Sequence, residues 1–213
     1  MATIDELTIA DEPQTWSGLG FEVEGDACRL AGVTVRLAGP GAGDGLGIRG
    51  WSLRDVDSTE LDGLPTTCSE RPALAPALTH SNGVIGIDHV VAVSPDFPRS
   101  VQALKAAGLD LRRVREQPTP AGAPRQAFFR LGREILELVQ EPAADVERRG
   151  GAGRPAHFWG LALLVEDIDA SARHFAPHVS GPRAAVQPRR RIATIKRSAG
   201  LSFPLALMSR EEG

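Results

Sequence analysis

The chain has 213 residues but no tyrosine, a single asparagine (Asn82), two methionines and two cysteines. Cys28 and Cys68 stand far apart and in no motif. That excludes a disulfide framework and reads as thiols of a reducing, cytoplasmic compartment. No apolar run approaches the roughly 20 residues that span a bilayer. The opening Met1-Ala2-Thr3-Ile4-Asp5-Glu6 has neither a basic region nor an apolar stretch, so no secretory signal is expected. Lysine is nearly missing: Lys105 and Lys196 stand alone, and arginine supplies the rest of the 24 basic residues. Against 27 acidic residues the formal net charge is −3, which lacks the cationic field a nucleic-acid partner needs. Hydrophobic residues make up 42% and charged residues 24%, enough for a folded core.

Three stretches share one rhythm. In the middle copy, Ile85 to Val93 is β-branched and predicts a strand. Ser94-Pro95-Asp96 turns into a helix bearing Val101 and Leu104, and Gly108 ends it. Leu109 to Arg115, Arg125 to Leu131 and Ile135 to Gln140 read as three more strands, the last two joined at Gly132-Arg133. The order is β-α-β-β-β. The last copy runs from the strand Phe158–Val165, through a helix opened by Glu166-Asp167, to a hairpin of Arg191–Lys196 and Leu201–Met208. Pro204 points to an edge or a bulge there. The first copy is shorter: strand Ile4–Ala10, helix Glu12–Gly18, then strands Phe21–Glu24, Arg29–Leu37 and Ile48–Leu53. The division expected is a degenerate module over 1–54, a Pro/Ser/Thr-rich linker over 55–82, a module over 83–141, a linker over 142–156 and a module over 157–210.

The strand I-D-H-V-V-A-V, the Ser/Asp turn, the helix ending A-G-L-D-L and the hairpin ending I-L-E-L-V together resemble the vicinal oxygen chelate superfamily. That group holds glyoxalase I, extradiol dioxygenases and bleomycin-resistance proteins. The resemblance covers about Gly83 to Met208, and Met1 to Leu53 more weakly. It implies an α+β fold of repeated βαβββ modules whose curved, mostly antiparallel sheets form an incomplete barrel around a cleft. It also implies one divalent metal (Zn, Ni, Mn or Fe), with His89 at the first-strand ligand position and Glu137 at the last-strand position, Glu137 doubling as a catalytic proton shuttle. By the same spacing Gly160 and Ala206 fill these positions in the last copy, and neither can coordinate a metal. In the first copy Glu6 falls opposite His89 and is the third candidate metal ligand, while Gly50 or Trp51 falls near the Glu137 position.

Other features have plainer readings. Gly45-Leu46-Gly47-Ile48-Arg49-Gly50 matches G-x-G-x-x-G, but a strand follows where phosphate binding needs a helix. His174 and His178 are split by Pro177 and suit a surface or capping role. Arg189-Arg190-Arg191 reads as a solvated strand edge or as a clamp for an acidic ligand. In Arg125 to Leu131 alternate residues face opposite ways, and register decides which set meets the cleft. Gln126, Phe128 and Arg130, with Trp159 and Arg191, are the candidate substrate contacts.

Three functions compete. The first is a metal-dependent lyase, isomerase or dioxygenase of glyoxalase type. The second is a metal-free binder of a small, drug-like molecule, in the manner of resistance proteins. The third is a degenerate structural or interaction protein. The partners expected are a small-molecule ligand and a second copy in a homodimer, with no nucleic acid and no membrane. An odd number of copies leaves one module to pack beside the central pair or across that dimer.

Overall fold

The computed structural model describes residues 1–41, 47–75, 80–119 and 122–211. Gly45 and Leu46 of the G-x-G-x-x-G match, and most of the loop around them, lie outside the described residues. Among the described residues, fourteen strands form two curved, unclosed sheets with few helices, an α+β fold. No described helix is long and apolar enough to cross a membrane.

The first part of the chain gives β1 (Thr3–Ile9), α1 (Pro13–Gly18), β2 (Val23–Glu24), β3 (Ala27–Leu30), β4 (Val33–Leu37), β5 (Ile48–Arg54) and β6 (Thr66–Cys68). These strands lie in the order β2-β3-β4-β1-β5-β6. The remainder gives β7 (Val84–Ser94), α2 (Phe97–Ala106), β8 (Asp110–Arg115), β9 (Gln126–Leu131), β10 (Glu134–Gln140), α3 (Ala143–Arg148), β11 (His157–Val165), α4 (Ile168–Phe175), β12 (Arg183–Ala184), β13 (Arg191–Thr194) and β14 (Leu205–Ser209). Their order is β12-β13-β14-β11-β7-β10-β9-β8.

By contacts the chain divides into two compact units. Unit 1 comprises residues 1–5, 50–71 and 89–159; unit 2 comprises 6–49, 72–88 and 160–213.

In unit 1, the Asp96 side chain caps α2 by accepting from the Arg99 amide at 3.1 Å, and Pro98 occupies the first turn. Helix α2 turns Phe97 and Leu104 inward; Phe129, Leu131, Leu136 and Leu138 of the sheet are fully buried. Each such side chain contributes about 1.5–3 kcal/mol by burial. Gly132, at φ +70°, opens the two-residue turn between β9 and β10. Asp62 Oδ1 and Oδ2 accept from Arg99 at 2.6 and 3.2 Å and tie residue 62 to the start of α2. Asp5 is buried among Arg54, Arg71 and Ser69.

In unit 2, Trp16, Phe21 and Phe175 form an aromatic core, with ring centroids 4.6 Å (Trp16–Phe21) and 6.1 Å (Phe21–Phe175) apart. The ring of the buried His80 meets Phe21 at 5.4 Å. Its Nδ1 accepts from the Glu22 amide and its Nε2 donates to the Arg29 carbonyl, each at 3.0 Å. Only the neutral ring can make both bonds. Burial pushes this imidazole below its ordinary value, against the opposing pull of the Arg29 carbonyl and the Glu22 carboxylate. The folded state therefore binds the proton less readily than the unfolded chain. Stability is complete above about pH 6.5, the unfolded value, and falls as the pH drops from there through the folded value. Urea midpoints measured between pH 7.5 and 5.5 should decline, and His80→Gln should flatten that decline. An identical slope in the variant would remove His80 as its source.

Several elements depart from the sequence reading. Residues 29–37 form two strands, because Ala31 (φ +53°) and Gly32 turn the chain between Leu30 and Val33. The last strand starts after Pro204, at Leu205, so the proline precedes the ladder and forms no bulge in it. The stretch 55–82 contains β6, and 142–156 contains α3. Strand β5 does not complete the first copy: β4 does, paired in parallel with β1. Instead β5 opens a further, shortened copy that β6 closes, also in parallel. The described residues thus hold four pairs of first and last strands where the sequence suggested three.

Candidate functional site

The four parallel pairs align by register. His89 lies opposite Ile135, and Glu137 stands two residues further along β10. Glu6 lies opposite Thr34, with Arg36 two further on. In β5·β6 the pairing of Trp51 with Thr66 puts Gly50 and Thr67 in these roles. In β11·β14 the pairing of Leu161 with Leu205 gives them to Gly160 and Ala206. The assignment of Gly160 and Ala206 stands. That of Gly50 or Trp51 to the Glu137 position of the first copy is corrected: Arg36 holds it, since β4 closes that copy.

Only the His89 pair joins an imidazole to a carboxylate. His89 Nε2 lies 3.4 Å from Glu137 Oε2, both side chains about one-eighth exposed. The Gln126 amide donates to Glu137 Oε1 in a short hydrogen bond, and its own oxygen accepts from Arg115 Nη1 at 3.3 Å. A polar chain Arg115–Gln126–Glu137–His89 therefore crosses β8, β9, β10 and β7. The two ends of the amide are told apart by their partners, so Gln126 has one orientation.

Register also settles the face. Glu137 pairs directly with Phe128, Ile135 with Arg130 and Val139 with Gln126. Gln126, Phe128 and Arg130 thus share a sheet face with His89 and Glu137, whereas Ala127, Phe129 and Leu131 are fully buried on the other. The first face is partly open: Phe128 and Ile135 are half-buried and Arg130 is exposed. The guanidinium of Arg113 lies over the Phe128 ring, 4.9 Å from its centroid.

The remaining candidates are not drawn into this chain. Trp159, in unit 1, is 52% exposed, and its neighbour Phe158 packs edge-on against Trp51 at 5.1 Å. Glu6, in unit 2, pairs with Arg36 at 3.1 Å. Arg191, also in unit 2, grips Asp169 through two hydrogen bonds of 2.7 and 2.9 Å and holds that carboxyl below its usual range. Arg190 pairs with Asp88, and Arg189 with Glu211. All three arginines of the basic run thus have carboxylate partners inside the chain. His178 Nδ1 faces Ser198 Oγ at 3.0 Å. Arg113, Arg115 and the orienting role of Gln126 were missed because they depend on pairing between strands.

A divalent metal does not fit this donor set. A catalytic site of this type holds its ion with three or four protein ligands. Here His89 and one oxygen of Glu137 are two, and Gln126 already occupies the other oxygen. Among the described residues no group of three or more His, Cys, Asp or Glu side chains could hold a metal ion.

Paired first and last strands built into curved, unclosed sheets match the fold of vicinal oxygen chelate proteins. Residues 86–183 match the family model of the Glyoxalase/Bleomycin resistance protein/Dioxygenase superfamily. Solved structures share the fold. A mutant 4-hydroxymandelate synthase from Streptomyces coelicolor aligns with 99% of this chain and 93% of its own, at 14% identity and a TM-score of 0.66. A fusion of a xylose isomerase-like TIM barrel with a 4-hydroxyphenylpyruvate dioxygenase covers 99% of this chain and 49% of its own, at 12% identity and a TM-score of 0.64. Methylmalonyl-CoA epimerase from Mycobacterium tuberculosis covers 63% of this chain and 94% of its own, at 17% identity and a TM-score of 0.51. At these identities the likeness is one of fold. No curated protein matches the sequence.

Proposed function

We propose that this chain is a glyoxalase-like small-molecule-binding protein whose ligand lies on the open sheet face of unit 1 and that it works without a resident metal. The observation that carries this reading is the chain Arg115–Gln126–Glu137–His89, in which both oxygens of Glu137 face protein groups. A carboxylate held in this way orients and polarises an imidazole. His89 and Glu137 together offer a bound ligand one proton-sharing pair, and Phe128 and Ile135 offer it apolar surface. The match of residues 86–183 to the Glyoxalase/Bleomycin resistance protein/Dioxygenase family model supports small-molecule binding.

Elemental analysis of protein purified without chelator tests the metal-free part. Less than about a tenth of an equivalent of Zn, Ni, Mn or Fe is expected, since two ligands fall short of a stable site. The melting temperature should not respond to EDTA. About one equivalent, lost in His89→Ala, would overturn this reading and restore the metal-dependent one.

A further inference from the structure

Strand β8 does not alternate regularly. Asp110 pairs with Arg130 and Leu111 with Phe129, but then Arg113 pairs with Phe128, and the register shifts between Leu111 and Arg113. Arg112 is the extra residue of a β-bulge. Without it, residues 110, 112 and 114 would share the open face, and Arg113 and Arg115 would point to the side of buried Phe129 and Leu131. The bulge reverses this and places Arg113 beside Phe128 and Arg115 beside Gln126. Bulges cost ladder hydrogen bonds and commonly re-aim side chains at binding sites.

Most arginines of this chain hold a carboxylate or a carbonyl. Among the described residues the guanidinium groups of Arg133, Arg173, Arg183 and Arg197 make no hydrogen bond or ion pair, and nor do those of Arg113 on β8 and Arg130 on β9. Arg113 and Arg130 flank Phe128, one across the strand pair and one two residues along β9. The acidic residues on this face are accounted for. Asp110 accepts from Arg112 at 3.2 Å, and Glu137 is held by Gln126 and His89. Arg113, whose guanidinium lies over Phe128, has N–H groups that a planar anion can engage.

We infer that the ligand of this face is a small amphipathic acid. Its carboxylate meets Arg113 and Arg130, and its apolar body lies against Phe128 and Ile135 toward His89. This rests on the proposed site and adds the ligand class. The planar, two-toothed geometry of carboxylates suits a guanidinium, and Ile135, in register between Arg130 and His89, with Phe128 beside it, suits an uncharged body.

Phenylacetate and its uncharged analogue 2-phenylethanol serve as probes, with binding followed by saturation-transfer NMR on the full chain. The expected result is that phenylacetate binds about tenfold more tightly, the order of one charge-assisted hydrogen bond. R113Q and R130Q should each erase that preference and leave 2-phenylethanol unchanged, while F128A weakens both probes. Both arginines are exposed, so these variants should keep the wild-type melting temperature. If F128A weakens both probes but the arginine variants alter neither, the acid is wrong and the site stands. If neither probe binds at millimolar concentration, or F128A has no effect on binding while Phe128→Glu also leaves it intact, both the acid and the site are overturned.

Discussion

Asp5→Ala should lower the stability of the protein by roughly 3–5 kcal/mol, the cost of stranding a buried charge. Asp5 is 2% exposed and Arg54 8%. Besides pairing with Arg54, the Asp5 carboxylate accepts from Arg71 Nε at 2.8 Å and from Ser69 Oγ at 2.7 Å. Arg54 also donates to the carbonyls of Arg71 at 2.7 Å and Ile4 at 3.1 Å, so it cannot swing out to water without breaking those bonds. A domain holds about 5–15 kcal/mol in all, and this one change removes a large part of it. The next residue gives the contrast. Glu6 points to the other side of β1 and pairs with a more exposed Arg36. Arg36→Ala should cost less than about 1 kcal/mol. Urea unfolding of both variants decides the matter; equal, small losses would mean that the Asp5 cluster is effectively solvated.

Gly160→Ala should destabilise by about 1–3 kcal/mol, as overpacking does. A Cβ at Gly160 would stand 2.7 Å from the Pro204 carbonyl oxygen, which also accepts from the Leu161 amide at 3.1 Å. Gly50 repeats the arrangement: its Cβ would lie 2.9 Å from the Pro65 carbonyl oxygen, which accepts from Trp51 at 3.0 Å. For the same reason Gly160→His should fail to restore a ligand of the His89 kind, and titration with Zn should leave its melting temperature where it was. Wild-type stability in Gly160→Ala would show that β14 yields without cost.

The strands, helix and turn between residues 84 and 140 were legible because their signals are local. A β-branched run, a capped helix with Pro98 and a Gly132 turn each act within a few residues. His89 and Glu137 were singled out by the family resemblance that this pattern carries, and the structure puts them 3.4 Å apart. The fourth strand pair was not legible, since Thr66–Cys68 is too short to show alternation and sits among prolines. The turn at Ala31 was hidden because alanine rarely takes positive φ. The open face of β9 needed its register against β10. The arginines of β8 needed a bulge that periodicity cannot reveal. The basic run at 189–191 looked available in sequence, and only the fold brings Asp88, Asp169 and Glu211 to it.

The glycine–proline contacts of β5·β6 and β11·β14 bear on descent as well as on stability. In these two copies the histidine position has become the place where one strand leans on the backbone of the next. A histidine codon can arise there by two base changes. The room for its side chain cannot, because the whole strand must first move away. What separates these copies from the one with His89 is therefore a spacing, which a substitution at the glycine alone does not change.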